Sequence, residues 1–92
     1  MDVMNLSEIF ARNVKLRLAA VNLTKTDLAN MTNVSRNTIT NLTSGKSKMA
    51  RFESIDEIAK ALKCEPQQLF DENTNWTIYK WANKYQRGLK HE

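Results

Sequence analysis

The sequence has few of the residues that form disulfides, interrupt helices or bind metals in other proteins. Its 92 residues include one Cys, two Gly, one Pro and one His. A single Cys excludes an internal disulfide framework. So few Gly and Pro residues argue against a β-rich or disordered chain. Because no His, Cys and carboxylate cluster has metal spacing and no nucleophile–His arrangement is present, we expect no metal, no cofactor and no enzymatic activity.

Long apolar runs and targeting signals are also missing. No apolar stretch approaches the roughly 18 residues of a membrane span. The first ten residues, MDVMNLSEIF, lack the basic and apolar regions of a signal peptide. The sequence therefore predicts a cytoplasmic protein with no membrane partner.

Acidic residues are absent from one long stretch of the chain. None occurs between Asp27 and Glu53, where Arg36, Lys46, Lys48 and Arg51 all fall, and the net charge is +4. Such segregation favours a polyanion as the partner of one face. In so short a chain, a chance asymmetry is the alternative.

Caps and apolar periodicity predict helices. Asn5 and Thr24 are each followed three residues later by a carboxylate, as in a capping box, and Ser35 is a third N-cap. Asn22 and Gly45 mark helix ends, and Asn33 is expected to adopt a left-handed conformation in a tight turn. The fourth helix has an apolar stripe, and a short fifth one follows with Pro at its first position. The stripe consists of Phe52, Ile55, Ile58, Ala59 and Leu62.

The stretch between Asn33 and Lys46 is polar but free of carboxylates, with apolar residues at helical spacing. A short helix that follows another after a three- or four-residue turn is a helix-turn-helix, whose second helix enters the DNA major groove. Arg, Asn and Thr side chains can all hydrogen-bond base edges. The predicted base-contacting residues are therefore Arg36, Asn37, Thr38, Thr40 and Asn41.

The segment L23-T-K-T-D-L-A-N-M-T-N-V-S-R-N-T-I-T-N-L-T-S-G45 resembles the helix-turn-helix of phage repressors, Cro proteins and XRE-type regulators. The resemblance covers about Leu6 to Phe70 and implies an all-α, compact five-helix, lambda-repressor-like domain. It also implies a dimeric double-stranded DNA-binding protein, nucleoid-associated in a bacterial host. By the same resemblance, phosphate contacts are expected from Lys25, Ser44, Lys46, Ser47 and Lys48.

Arg17 joins these expected phosphate contacts for a different reason. The family often has Glu at the position of Thr43, where it pairs with an Arg of the first helix. The resemblance therefore implies that Arg17 lacks that partner and is available to phosphate.

The last part of the chain lies beyond the resemblance. We expect a DNA-binding domain over residues 1–70 and an extension over 71–92 with an additional C-terminal helix. Its apolar stripe favours a dimer interface formed by Ile78, Trp81, Tyr85 and Leu89, and Trp76–Leu89 as a whole is expected to supply this contact. Packing of the extension on its own domain, or a strand pair across a two-fold axis, is the alternative.

These observations favour a sequence-specific transcriptional regulator, in particular a phage- or prophage-type repressor that binds a near-palindromic operator as a homodimer. No small-molecule ligand is expected. One alternative is an antitoxin that neutralises a toxin protein and regulates its own operon, with the aromatic extension as the docking surface. An antirepressor is a further candidate partner, and a restriction-modification controller is a third candidate function.

Overall fold

The computed structural model describes residues 4–76, which form four α-helices and a terminal 3₁₀ helix. Helix α1 spans Leu6–Ala20, α2 spans Lys25–Met31, α3 spans Arg36–Thr43 and α4 spans Phe52–Ala61. The 3₁₀ helix spans Pro66–Phe70. No strand occurs among residues 4–76, which confirms the all-α prediction. The predicted fifth segment is thus a 3₁₀ helix, and the additional C-terminal helix lies outside the described residues.

Two capping boxes fix where α1 and α2 begin. The Asn5 side chain accepts from the Glu8 amide at 2.9 Å, and the Glu8 carboxylate accepts from the Asn5 amide at 2.9 Å. Thr24 and Asp27 make the same reciprocal pair at 3.0 and 2.9 Å. Each cap satisfies backbone donors that have no partner within the helix, so both predicted starts are confirmed.

Left-handed residues end α1 and α4. Asn22 has φ 61°, and the following Leu23 amide donates to the Leu18 carbonyl at 2.8 Å. Lys63 has φ 56°, and the following Cys64 amide donates to a carbonyl of α4 at 3.0 Å. Both are Schellman-type ends, which usually place Gly at the left-handed position. Asn tolerates that conformation well, whereas Lys adopts it at a cost.

The turn between α2 and α3 is built differently from the expectation, because Asn33 does not have a positive φ. Thr32 instead ends α2 in an extended conformation, with φ −130° and ψ 175°. Its hydroxyl donates to the Leu28 carbonyl at 2.9 Å and accepts from the Val34 amide at 3.2 Å. A threonine side chain therefore replaces the backbone hydrogen bonds that a left-handed residue would have made.

The hydrophobic core joins all five elements. Its buried members are Phe10, Val14, Leu18, Leu28, Val34, Ile39, Leu42, Ile58, Ala59, Leu62, Leu69 and Trp76. Phe52, the first residue of the predicted apolar stripe, is not part of this core, since it is 89% exposed. Phe52 is the first residue of α4, one turn before the helix reaches the core. The expected apolar stripe therefore starts on the surface.

A buried amide ties α1 to the end of the described chain. Asn13 is 0% exposed and donates to the carbonyls of Leu69 and Asp71, both at 2.9 Å. Its Oδ1 accepts from the indole N–H of Trp76 at 3.0 Å. Trp76 is 4% exposed, so it belongs to the core of its own domain. This corrects the expectation that the interface segment begins at Trp76.

Arg17 is also buried, which contradicts its predicted contact with DNA phosphate. It is 2% exposed, its Nε donates to the Leu62 carbonyl at 2.9 Å, and its guanidinium lies 5.5 Å from the Trp76 ring centroid. Thr43, at the expected position of a carboxylate partner, is buried and donates to the Ile39 carbonyl at 2.8 Å. Backbone carbonyls and an aromatic face therefore replace the carboxylate partner.

Candidate nucleic-acid interface

Helices α2 and α3 form a helix-turn-helix whose inner side is anchored in the core. Leu28 of α2 and Ile39 of α3 are both 0% exposed, and residues 32–35 connect the two helices. Because one face of α3 is buried, its opposite face is held outward in a fixed orientation. The fold thus presents α3 as a rigid surface helix rather than a loosely attached one.

The start of α3 is fixed by Ser35. Its Oγ accepts from the Thr38 amide at 3.1 Å, and its hydroxyl lies 2.9 Å from Thr38 Oγ1, to which it donates. The cap leaves the first amides of α3 directed outward, where the positive end of the helix dipole favours an anion such as phosphate. Thr38 is half-buried, so it is the least accessible of the predicted base-contacting residues.

Four of the predicted base-contacting side chains share one exposed face of α3. Arg36, Asn37, Thr40 and Asn41 are all exposed, and their spacing of i, i+1, i+4 and i+5 places them together on a helix. Arg can hydrogen-bond guanine through two donors, and Asn can pair with adenine through a donor and an acceptor. This face therefore offers three side chains capable of bidentate hydrogen bonding to bases.

Within the described range, residues 4–76, the basic residues around α3 form no salt bridge with an acidic side chain. Lys25, Arg36, Lys46 and Lys48 are exposed. Among residues 4–76, the only salt bridge joins Lys60 and Asp56 at 3.6 Å, on α4. The positive charge beside α3 is therefore available to a polyanion such as the DNA backbone.

The loop after α3 holds its two serine hydroxyls in internal hydrogen bonds. Ser44 Oγ donates to the Asn41 carbonyl at 2.7 Å and accepts from the Lys46 amide at 3.1 Å. Ser47 Oγ donates to the Met49 carbonyl at 2.8 Å. A hydroxyl has only one proton to donate, so a phosphate contact through either side chain requires that internal bond to be exchanged. The lysines need no such change.

Gly45 sets the path of this loop. Its φ is +78°, which strains residues with a Cβ, and a Cβ there would lie 3.7 Å from Glu8 Cγ and 3.8 Å from Ala11 Cβ. The predicted helix end at Ser44 and Gly45 is confirmed. The turn places the loop against α1.

A concave surface of about 580 Å³ lies beside α3 and adds residues that the sequence did not suggest as contacts. Its wall combines Thr38 and Asn41 with Asn33, Arg51 and Ser54. Arg51 is exposed and precedes α4. The sequence feature that could have identified Arg51 as a contact is its position in the stretch without acidic residues, although it lies fifteen residues after the start of α3.

The predicted interface residues Ile78, Trp81, Tyr85 and Leu89 lie outside the described residues, so their role remains a prediction. Within residues 4–76, no helix has both the length and the apolar character needed to cross a membrane. In the same range, no group of three His, Cys, Asp or Glu side chains is placed to hold a metal ion.

Comparison with known proteins gives one family match. The family described as "Cro/C1-type HTH DNA-binding domain" matches residues 13–74, which include all of α2, α3, α4 and the 3₁₀ helix. No curated protein and no solved structure matches the chain. The matched range extends beyond the expected boundary at Phe70 and ends two residues before Trp76.

Proposed function

The chain belongs to the Cro/C1-type helix-turn-helix DNA-binding family, and from this premise we propose that it is a sequence-specific regulator that binds a near-palindromic DNA operator as a dimer. The observation that carries this proposal is the exposed face of α3, where Arg36, Asn37, Thr40 and Asn41 lie together. Their hydrogen-bonding groups project from a helix whose other face is locked in the core.

In this proposal, sequence is read by Arg36, Asn37 and Asn41, with Thr40 and Thr38 in supporting contacts. A bidentate pair with a base contributes about 1–3 kcal/mol of discrimination against the wrong base. One short helix reads only a few base pairs, so a single domain has limited specificity. Two copies placed about 34 Å apart on DNA add their discrimination.

We assign the phosphate contacts to Lys25, Lys46 and Lys48, and we add Arg51 because it lines the concave surface beside α3. Ser44 and Ser47 remain predicted contacts, through exchange of the hydrogen bonds that their hydroxyls make within the loop. Phosphate contacts hold the protein in register on the duplex without selecting a sequence. This division separates the residues that supply affinity from those that supply specificity.

We further propose that residues 1–70 form the DNA-binding unit and that the extension contributes the dimer contact through Ile78, Trp81, Tyr85 and Leu89. The extension is anchored to that unit by Trp76, which is buried against Asn13. Burial of Trp76 suits a segment that forms a dimer contact, because it limits the relative positions that the two DNA-binding domains can take on DNA. A phage- or prophage-type repressor is the regulator that we favour within this class.

Selection of bound duplexes from a random library tests the proposal. We expect an enriched palindrome whose half-sites are separated by about one helical turn. Enrichment of one half-site alone would contradict the dimer while supporting base recognition by α3. Absence of any enriched sequence, with binding that depends only on salt, would contradict sequence-specific recognition.

A further inference from the structure

An apolar groove of about 250 Å³ opens between the start of α1, the start of α4 and the 3₁₀ helix. Three of its side chains are strongly exposed: Leu6 by 60%, Met49 by 86% and Phe52 by 89%. Its other apolar lining residues include Phe10, Ile55 and Phe70. An exposed apolar cluster of this kind marks an interaction surface, because leaving it in water is unfavourable.

The rim of the apolar groove is acidic along α4. Glu53 and Asp56 line the adjoining hollow together with Leu6, Phe52 and Pro66. Both acidic side chains are on exposed residues. Lys48 also lines the groove itself, so the match in charge is confined to α4. An occupant that is apolar towards the groove and basic where it passes α4 would fit this arrangement.

Residues 77–92 of this chain have that composition. Apolar residues recur at helical spacing at Ile78, Trp81, Ala82, Tyr85 and Leu89, and the basic residues Lys80, Lys84, Arg87 and Lys90 are interspersed among them. We propose that this segment of one protomer docks in the apolar groove of a second copy, and that the second copy returns the same contact. The inference rests on the dimer of the proposed function and names the surface that receives its C-terminal stripe.

The path of the described chain favours a second copy over the same copy. The Glu72 carbonyl accepts from Arg12 at 2.6 Å, and Trp76 follows beside Asn13 and Arg17. The chain thus runs along α1 towards its C-terminal end, whereas the groove lies at Leu6. Leu6 and Arg17 are about 16 Å apart along the axis of α1, at 1.5 Å per residue.

The direction of residues 72–76 leads away from the groove of the same domain. A return would need a sharp reversal, yet residues 77–92 contain no Pro, and their one Gly, Gly88, lies near the far end of the stripe. Reciprocal exchange across a two-fold axis needs no reversal and closes the assembly at two copies. The sixteen residues after Trp76 are long enough to reach the groove of the same copy or of a second copy. The direction of the chain at Trp76, rather than its length, therefore favours the second copy.

Complementation between two full-length variants tests the exchange. Phe52→Asp alters the groove, and Trp81→Asp alters the docking segment. Because Phe52 is almost fully exposed, its replacement should leave the fold intact, which circular dichroism checks for both variants. Each variant alone has two altered contacts per dimer. An equimolar mixture can form a dimer with one contact unaltered and the other altered on both sides.

We expect the wild-type chain to sediment as a dimer and each variant to dissociate roughly tenfold or more readily, because aromatic anchors dominate such interfaces. The mixture should recover dimer at concentrations where each variant alone is monomeric. Met31→Asp, at a 51% exposed apolar residue outside the groove, should leave the dimer unchanged.

Three results would overturn the exchange. The first is a Phe52→Asp chain that dimerises like wild type, which would mean that the groove is covered by its own chain or remains open. The second is a mixture with no recovery, which would indicate contacts between like surfaces. In either case a dimeric wild-type chain would leave the proposed function intact. The third is a monomeric wild-type chain, which would contradict the dimer of the proposed function as well.

Discussion

Replacing Asn13 by Ala should destabilise the domain far more than its small size suggests. The side chain is fully buried and makes hydrogen bonds to residues more than fifty positions away. The loss in the free energy of unfolding therefore measures how strongly the packing of α1 depends on the end of the described chain.

The magnitude follows from the bonds that are lost. The two donations to the carbonyls of Leu69 and Asp71, each at 2.9 Å, contribute about 1 kcal/mol apiece. The substitution also removes the acceptor of the Trp76 indole N–H at 3.0 Å, which adds about 1–3 kcal/mol for a buried donor. We expect a loss of about 3–5 kcal/mol, a large share of the roughly 5–14 kcal/mol typical for a chain of this size.

Trp76→Phe provides the matched second variant, because it keeps most of the apolar ring and removes the N–H. Its cost should be smaller, about 1–2 kcal/mol, since Asn13 Oδ1 still accepts from Arg12 at 3.2 Å. In the Trp76→Phe background, Asn13→Ala no longer removes the acceptor of an indole N–H. A coupling energy of about 1–3 kcal/mol is therefore expected.

Urea denaturation of the four chains, followed by far-ultraviolet circular dichroism, measures this cycle. Asn30→Ala, at an exposed asparagine of α2, should change the free energy of unfolding by less than about 0.5 kcal/mol. If the two substitutions were additive within about 0.5 kcal/mol, the hydrogen bond between Asn13 and Trp76 would contribute nothing and the reasoning would be refuted.

Four further predictions concern the interface, a helix end and the thiol. Asn37→Ala should relax base preference at one or two operator positions by about 1–3 kcal/mol while random-sequence binding is unchanged; equal loss on both DNAs in gel-shift titrations would make it a phosphate contact. Lys46→Ala should reduce the log–log salt slope of DNA binding by about 0.9, whereas Lys60→Ala, on α4, should leave it unaltered; identical slopes for both variants would contradict the placement. Lys63→Gly should raise the free energy of unfolding by about 0.5–1 kcal/mol, because Gly adopts φ 56° without strain, and a lower thermal midpoint would count against this account. Burial raises the pKa of the Cys64 thiol from 9.0 to about 11, with Arg17 partly opposing the rise, so the native thiol should react with a disulfide reagent about 100-fold more slowly at pH 8 than the urea-unfolded chain. Since the folded pKa is the higher one, this thiol's contribution to stability is present below about pH 9 and is lost as pH rises towards 11; equal native and unfolded reaction rates would refute the burial.

Local signals in the sequence predicted the helix starts and the helix-turn-helix. A cap and its partner are three residues apart, as in Asn5 with Glu8 or Ser35 with Thr38, so the chemistry that fixes them is visible in a short window. The exposed face of α3 follows in the same way from the spacing of Ile39 and Leu42. Its DNA contacts remain a prediction.

Contacts between distant parts of the chain were not predictable in this way. Arg17 was expected to be available to phosphate, because Thr43 cannot act as its acidic partner. Its actual neighbours, the Leu62 carbonyl and Trp76, come from two other segments. Residue type gave no indication that the indole of Trp76 would lie against the guanidinium. Similarly, only the packing of α4 shows that Phe52 points away from the core.

The bonds of Asn13 also bear on the order in which the domain is completed during synthesis. Its partners outside α1 lie 55 to 63 residues later. Helix α1 is therefore made first, but its contacts with the end of the described chain cannot be completed until Trp76 has left the ribosome. The contacts between α2 and α3 are local and can form much earlier. A nascent chain stalled before Trp76 should therefore carry a formed helix-turn-helix and a first helix that a protease can still reach.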